Sequence, residues 1–325
     1  MSTTIAIAGG TGNVGRTISD ALVATGKYKV ILLGRGASKD LSPNAPPLIN
    51  VDYGDIDAVA NILEEHNVHT VISAIKVIAP EAGVSEVNLI KAAAKSSATK
   101  RFIQSEWGVP IPQEKDKFVN NDLMGAKSLR LLQHQVRLAS IEQLRKSNLE
   151  WTRFYNGYFL DYYGMPYIET HISELITFIF DMVNKAAVIP GTGNDLVSFT
   201  YTRDVANFVV KALDLSEWEE EMFCYGDKVT LNQFLGLVEE ATGSKFDVTY
   251  DSLEKLEKGE ASELPANAAE YKHLPKHILQ MYFSKFGQYI IAGLFDTPDE
   301  KSLNKVFPEV KTTTVEEVVG LWKGK

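Results

Sequence analysis

Apolar residues along the chain come in two rhythms. Thr4-Ile5-Ala6-Ile7-Ala8 is a continuous β-rich run that stops at Gly9-Gly10, and Val14 to Thr25 then carries Ile18, Leu22 and Val23 on one helical side. The alternation repeats. Tyr28 to Leu33 reads as a strand ending in Gly34-Arg35-Gly36, and Pro43 to Pro47 as loop. Leu48 to Val51 reads as a short strand, with Gly54-Asp55 before a helix to about His66. Thr70 to Ile75 is a continuous apolar strand of the kind buried on both faces. Val87 to Ala94 is helical, Arg101 to Ser105 a strand, Leu129 to Lys146 a long helix and Trp151 to Tyr155 a strand. Strands alternating with helices predict an α/β, Rossmann-type, doubly wound parallel sheet.

Beyond Asn156 the pattern loosens. Aromatic residues crowd from Tyr155 through Tyr167, and Val188 to Asn194 reads as a loop. Val197 to Tyr201 is a strand, Thr202 caps a helix from Asp204 to Leu213, and Asp247 to Tyr250 is a short strand. The expectation is a smaller C-terminal α+β substrate lobe. Residues 1–157 then form the dinucleotide-binding domain. Residues 158–325 form mainly the lobe, with 187–225 returning to the first domain.

The glycines are what give the first strand–helix turn chemical meaning. Gly9, Gly12 and Gly15 are spaced GxxGxxG directly after a strand and at the opening of a helix. Gly9 permits the sharp turn, Gly12 a close approach of backbone to a pyrophosphate, and Gly15 tight packing of the helix on the sheet. The loop Gly9, Thr11, Gly12, Asn13, Val14, Gly15 is therefore the candidate phosphate cradle. Arg35, at the end of the second strand, stands where an acidic residue would select NAD; an arginine there pairs with a 2′-phosphate and selects NADP. Lys39 is a second cation in the same loop. Asp55 either meets the adenine amino group or caps the helix after it. Ala74 and Ile75, ending the fourth strand, lie along the expected path of the cofactor or pack as apolar core. Tyr155 and Asn156 end the sixth strand at the expected nicotinamide end. Tyr158, Tyr162 and Tyr163 either line an aromatic substrate pocket or pack the core.

Composition removes other classes. The chain has 325 residues, 45% hydrophobic, with a net charge of −9, which argues against nucleic acid and anionic membrane surfaces. Cys224 is the single cysteine, so an internal disulfide and a cysteine zinc cluster are excluded, and no metal is expected. No signal-peptide pattern opens the chain and no apolar run is long enough to span a bilayer; a cytoplasmic protein is expected. A homodimer is compatible with this composition, which does not fix an oligomeric state.

The residues also carry a family likeness. Gly9-Gly10-Thr11-Gly12-Asn13-Val14-Gly15, Arg35, and Arg101-Phe102-Ile103-Gln104-Ser105-Glu106-Trp107-Gly108 resemble the isoflavone reductase-like and NmrA-like branch of atypical short-chain dehydrogenases. The second stretch there typically reads R-F-I-P-S-E-F-G. Leu149 to Thr152, Asn156 to Phe159, Pro190 to Asn194 and Asp204-Val205 follow the same pattern, closest in look to fungal CipA-type members. The resemblance covers most of the chain. It implies a Rossmann domain, NADPH, and hydride transfer to an aromatic secondary metabolite. It also implies a catalytic Lys on the helix before the sixth strand. Counted back without gaps from Trp151-Thr152, that position falls on Arg137. An arginine stays protonated and is a poor general acid, but it can stabilise developing oxyanion charge. The resemblance therefore implies a reductase first. An NADP-binding redox sensor without catalysis, or a redox-neutral isomerase or dehydratase on the same fold, are the alternatives.

Overall fold

The computed structural model describes residues 2–36, 45–77, 80–110, 137–173, 177–272 and 275–325. They form two compact units. The first holds the described residues up to Trp107, those from Arg137 to Phe154, and Val205–Met222. The second holds Gly108 to Pro110, Tyr155–Asp204 and Phe223–Lys325.

The first unit is built on β1 (Thr4–Ala8), α1 (Asn13–Thr25), β2 (Lys29–Gly34), β3 (Leu48–Asn50), α2 (Ile56–Glu65), β4 (Val68–Ser73), α3 (Pro80–Lys95) and β5 (Arg101–Gly108). A helix over 137–145, here α4, precedes β6 (Glu150–Tyr155). The sheet has seven strands in the order β11-β6-β5-β4-β1-β2-β3, with β11 at Glu221–Phe223. The pairings β3-β2-β1-β4-β5 are parallel. Every residue of β1 is buried, as a strand covered on both faces requires. The sequence reverses direction across the sheet between β1 and β4, the topological switch point at which open α/β sheets bind ligands.

Several boundaries differ from the sequence reading. β4 runs Val68–Ser73 and not to Ile75, because its register with β1 ends at Ala8↔Ser73 where β1 itself turns at Gly9. Ala74 and Ile75 therefore lie in the loop after the strand. Helix α3 begins earlier than Val87, at Pro80. Val23 is 44% exposed, while Ile18 and Leu22, spaced i and i+4, face the sheet; Val23 is rotated one residue off that stripe.

The second unit carries the short helix α5 (Asp161–Gly164) and two small sheets. One has the order β12-β10-β7, from Asp227–Thr230, Leu196–Thr200 and Tyr158–Phe159. The other has the order β13-β9-β8, from Asp247–Asp251, Ala186–Pro190 and Phe180–Asp181. Val188 to Pro190, expected as loop, is strand: it pairs in parallel with β13, and the chain leaves the ladder only at Gly191 and Gly193, both at positive φ. Residues 187–204 thus belong to this unit, and the segment that returns to the first is Val205–Met222, within helix α6 (Thr202–Ala212) and β11. Thr202 opens α6 as its first residue. The core here is aromatic: Phe180 stacks on Phe234 at 4.6 Å, and Tyr163 meets Phe234 edge-on at 4.8 Å. Among the described residues no helix is long and apolar enough to cross a membrane.

Candidate cofactor and active site

The glycine loop is held by its own backbone. Gly9 has φ +75° and donates to the Leu33 carbonyl, and Gly12 donates to the Gly9 carbonyl at 3.0 Å. A Cβ at Gly9 would sit 2.5 Å from the Ala74 carbonyl oxygen. One at Gly15 would sit 2.4 Å from the Gly9 oxygen, so Gly15 is needed for packing against the loop as well as against the sheet. Gly12 differs. A Cβ there meets only the Gly9 oxygen, at 3.3 Å, and the residue is exposed. Gly12 is the N-cap of α1, no side chain among the described residues caps that helix, and no acidic residue stands in its first turn. Among the described residues the positive end of α1 thus has no side-chain cap, next to an exposed backbone, the environment a pyrophosphate requires. Thr11 is exposed beside it, and Asn13 and Val14 are half-buried in the first turn.

Arg35 follows β2 and is exposed. Beneath it lies the buried Tyr53, whose hydroxyl donates to the Leu33 carbonyl at 3.2 Å. Burial pushes the Tyr53 phenol well above its ordinary value, and nearby Arg35 opposes that shift. Lys39 lies outside the described residues. Asp55 caps α2, its Oδ1 accepting from the Ala58 N–H at 2.9 Å. Ala74 donates to the Ala8 carbonyl, and the Ile75 carbonyl accepts from the Ser105 hydroxyl at 2.9 Å.

Arg137 is neither a free cation nor a solvated surface residue. Its Nη1 donates to Glu106 Oε1 at 2.7 Å; the Arg137 side chain is 30% exposed and that of Glu106 is 4% exposed. A second carboxylate, Glu86, lies fully buried beside this pair. Glu86 accepts from the Ser105 N–H and from the Ser140 hydroxyl, both at 2.9 Å, and so ties α3 to β5 and α4. Burial pushes both carboxyls above their usual range. Arg137 and Arg153 oppose this at Glu106, and Glu86 adds to it. Glu86 escaped the sequence reading, although it left a trace: it stands on the apolar stripe of α3 with Leu89, Ile90 and Ala93 at i+3, i+4 and i+7.

In the second unit Tyr155 is buried against Phe223, with ring centroids 5.2 Å apart. Asn156 is fully buried. Its N–H donates to the Gly108 carbonyl, its carbonyl accepts from Thr200, and its Oδ1 has no partner among the described residues. Tyr158 and Tyr162 are half-buried, with centroids 5.5 Å apart. Of the two readings of Tyr163, core packing is the one observed, and pocket lining is not. It is 2% exposed, its hydroxyl donates to the Phe178 carbonyl at 2.9 Å, and Phe234 packs on its ring.

Fold and cradle together define a dinucleotide-binding Rossmann protein. Residues 9–170 match the NAD(P)H-binding family model. The chain is 33% identical to the oxidoreductase BOA1 of Botryotinia fuckeliana over 94% of this chain and 95% of that protein. It is 25% identical to the phenylcoumaran benzylic ether reductase PT1 of Pinus taeda over 96% of each. Leucoanthocyanidin reductase of Vitis vinifera, solved with NADPH, shares the fold with a TM-score of 0.70 at 18% identity, over 98% of both chains. The chain belongs to the NAD(P)H-binding oxidoreductase family of BOA1.

Proposed function

We propose that the protein is an NADPH-dependent reductase of a small aromatic or polyketide-like metabolite. The observation that carries this reading is the uncapped N-terminus of α1 beside the exposed Gly12 backbone, followed at the end of β2 by Arg35. Gly12 to Gly15 would hold the pyrophosphate on backbone N–H groups, and Arg35 the 2′-phosphate. Ala74 and Ile75 would line the path of the cofactor. When bound, the nicotinamide supplies the hydride, from C4 to a conjugated or carbonyl carbon. The Arg137 Nε is buried without a hydrogen-bond partner among the described residues, a donor available to an oxygen gaining charge. Tyr158 and Tyr162 offer aromatic surface for a substrate ring. The names of the relatives above support this substrate class.

The test is loss of NADPH absorbance over a panel of aromatic ketones, quinones and benzylic ethers. Turnover of a panel member supports the reading. Tight NADPH binding with no turnover of any favours the redox-sensor alternative. One observation favours that alternative: the Arg137 charge is already engaged by Glu106, and an arginine supplies no proton.

A further inference from the structure

Trp107, next to last in β5, has its indole held from two directions. Its Nε1–H donates to the carbonyl of Ser73, the last residue of β4, at 3.1 Å. Its ring stacks on the fully buried Phe154 of β6, with centroids 5.6 Å apart and planes 26° from parallel. The residue is nevertheless only half-buried. An indole is the largest apolar side chain available, and one left partly in water while pinned in a single pose is suited to receiving another ring.

Its place in the sheet says which ring. A dinucleotide crosses the carboxyl ends of the strands at the switch point. Arg35 at the end of β2 marks the adenosine side, so the ends of β4 and β5 lie on the other half, and Trp107 stands there.

We propose that the Trp107 indole is the stacking surface for the nicotinamide ring and sets its position in this protein. The inference rests on the NADPH reading above and deepens it. In NADP+ the ring is a cationic pyridinium, which an electron-rich indole face attracts by cation–π interaction as well as by stacking; in NADPH the ring is a neutral dihydropyridine. The oxidised cofactor should therefore depend on Trp107 more than the reduced one.

The experiment titrates wild type, Trp107→Ala and Trp107→Phe by calorimetry with NADP+, NADPH and 2′-phospho-ADP-ribose, which is the same nucleotide without nicotinamide. Trp107→Ala should weaken NADP+ on the order of 10-fold and NADPH about 3-fold, leaving 2′-phospho-ADP-ribose unchanged. Trp107→Phe keeps a ring without the anchoring N–H and should fall between. It also carries the comparison if the alanine variant fails to fold. Wild type should show a charge-transfer absorbance on binding NADP+ that Trp107→Phe loses. Equal weakening of all three ligands, or unchanged NADP+ affinity in the variants, overturns the assignment. If wild type binds 2′-phospho-ADP-ribose and neither full cofactor, the NADPH reading itself fails with it.

Discussion

Arg137 and Glu106 form an ion pair 31 residues apart in sequence, with Nη1 donating to Oε1 at 2.7 Å. The carboxylate is nearly buried, so the pair is sensitive to losing either partner. Arg137→Ala would leave Glu106 without its ion-pair partner, with only Arg153 still opposing its burial, and should cost roughly 3 kcal/mol, the lower end for a buried pair because Arg137 is partly exposed and Arg153 remains. Glu106→Gln in the same chain should return more than 1 kcal/mol, a coupling of roughly the size seen between contacting charges. Urea unfolding of the two single variants and the double variant measures it; strictly additive losses would mean that the pair contributes nothing. If Arg137 also holds developing oxyanion charge, kcat in Arg137→Ala falls on the order of 10²–10³ while NADPH affinity holds.

Glu86 predicts a pH dependence of stability. Burial raises its carboxyl above the ordinary value of 4.5, against the pull of the Ser105 and Ser140 hydrogen bonds and of Arg137. A raised carboxyl means that the folded state holds a proton the unfolded chain has released. The stability it contributes is full below about 4.5 and is lost as pH rises through the folded value. Glu86→Gln keeps an acceptor for Ser105 and does not ionise. The variant should gain on wild type between pH 5 and pH 8, by about 1.4 kcal/mol for each unit of upward shift. Denaturant midpoints at the two pH values decide it. A constant difference between variant and wild type would show that Glu86 ionises as it does in water.

The glycine loop separates binding from folding. Gly12→Val places its Cβ 3.3 Å from the Gly9 oxygen on an exposed backbone, so the fold should persist while the cofactor is excluded. Gly15→Ala places a methyl 2.4 Å from the same oxygen, inside the loop, and should lower the melting temperature as well as abolish binding. Thermal unfolding with and without NADPH distinguishes them. Gly12→Val melting at the wild-type temperature and gaining none from NADPH is the expected result; a normal shift with NADPH would put the pyrophosphate elsewhere.

What could be read from the sequence follows how locally each feature is determined. β1, Gly9, Gly12 and Gly15 lie within twelve residues, and their backbone conformation and packing are set by one another, so the strand–turn–helix of the glycine loop is legible in the chain. Asp55 as cap of α2 was visible for the same reason. The Arg137–Glu106 pair is not, because it joins a strand end to a helix through tertiary packing, and nothing local to either residue points to the other. Tyr158, Tyr162 and Tyr163 lie close together in the chain and read alike, but only packing against Phe234 and the Phe178 carbonyl buries Tyr163. The strand at Ala186–Pro190 was hidden because its partner β13 begins 57 residues beyond Pro190, at Asp247, and Pro-Gly in isolation reads as a turn.

The most direct test of the account is a calorimetric titration of wild type and Arg35→Ala with NADPH and NADH. One charge-assisted contact to the 2′-phosphate is worth roughly 1.5–3 kcal/mol. Wild type should therefore bind NADPH at least about tenfold tighter than NADH. Arg35→Ala should lose most of that preference while NADH affinity stays nearly constant. Equal affinities in wild type, or a preference that survives Arg35→Ala undiminished, would contradict the assignment of Arg35 and of the cofactor it selects.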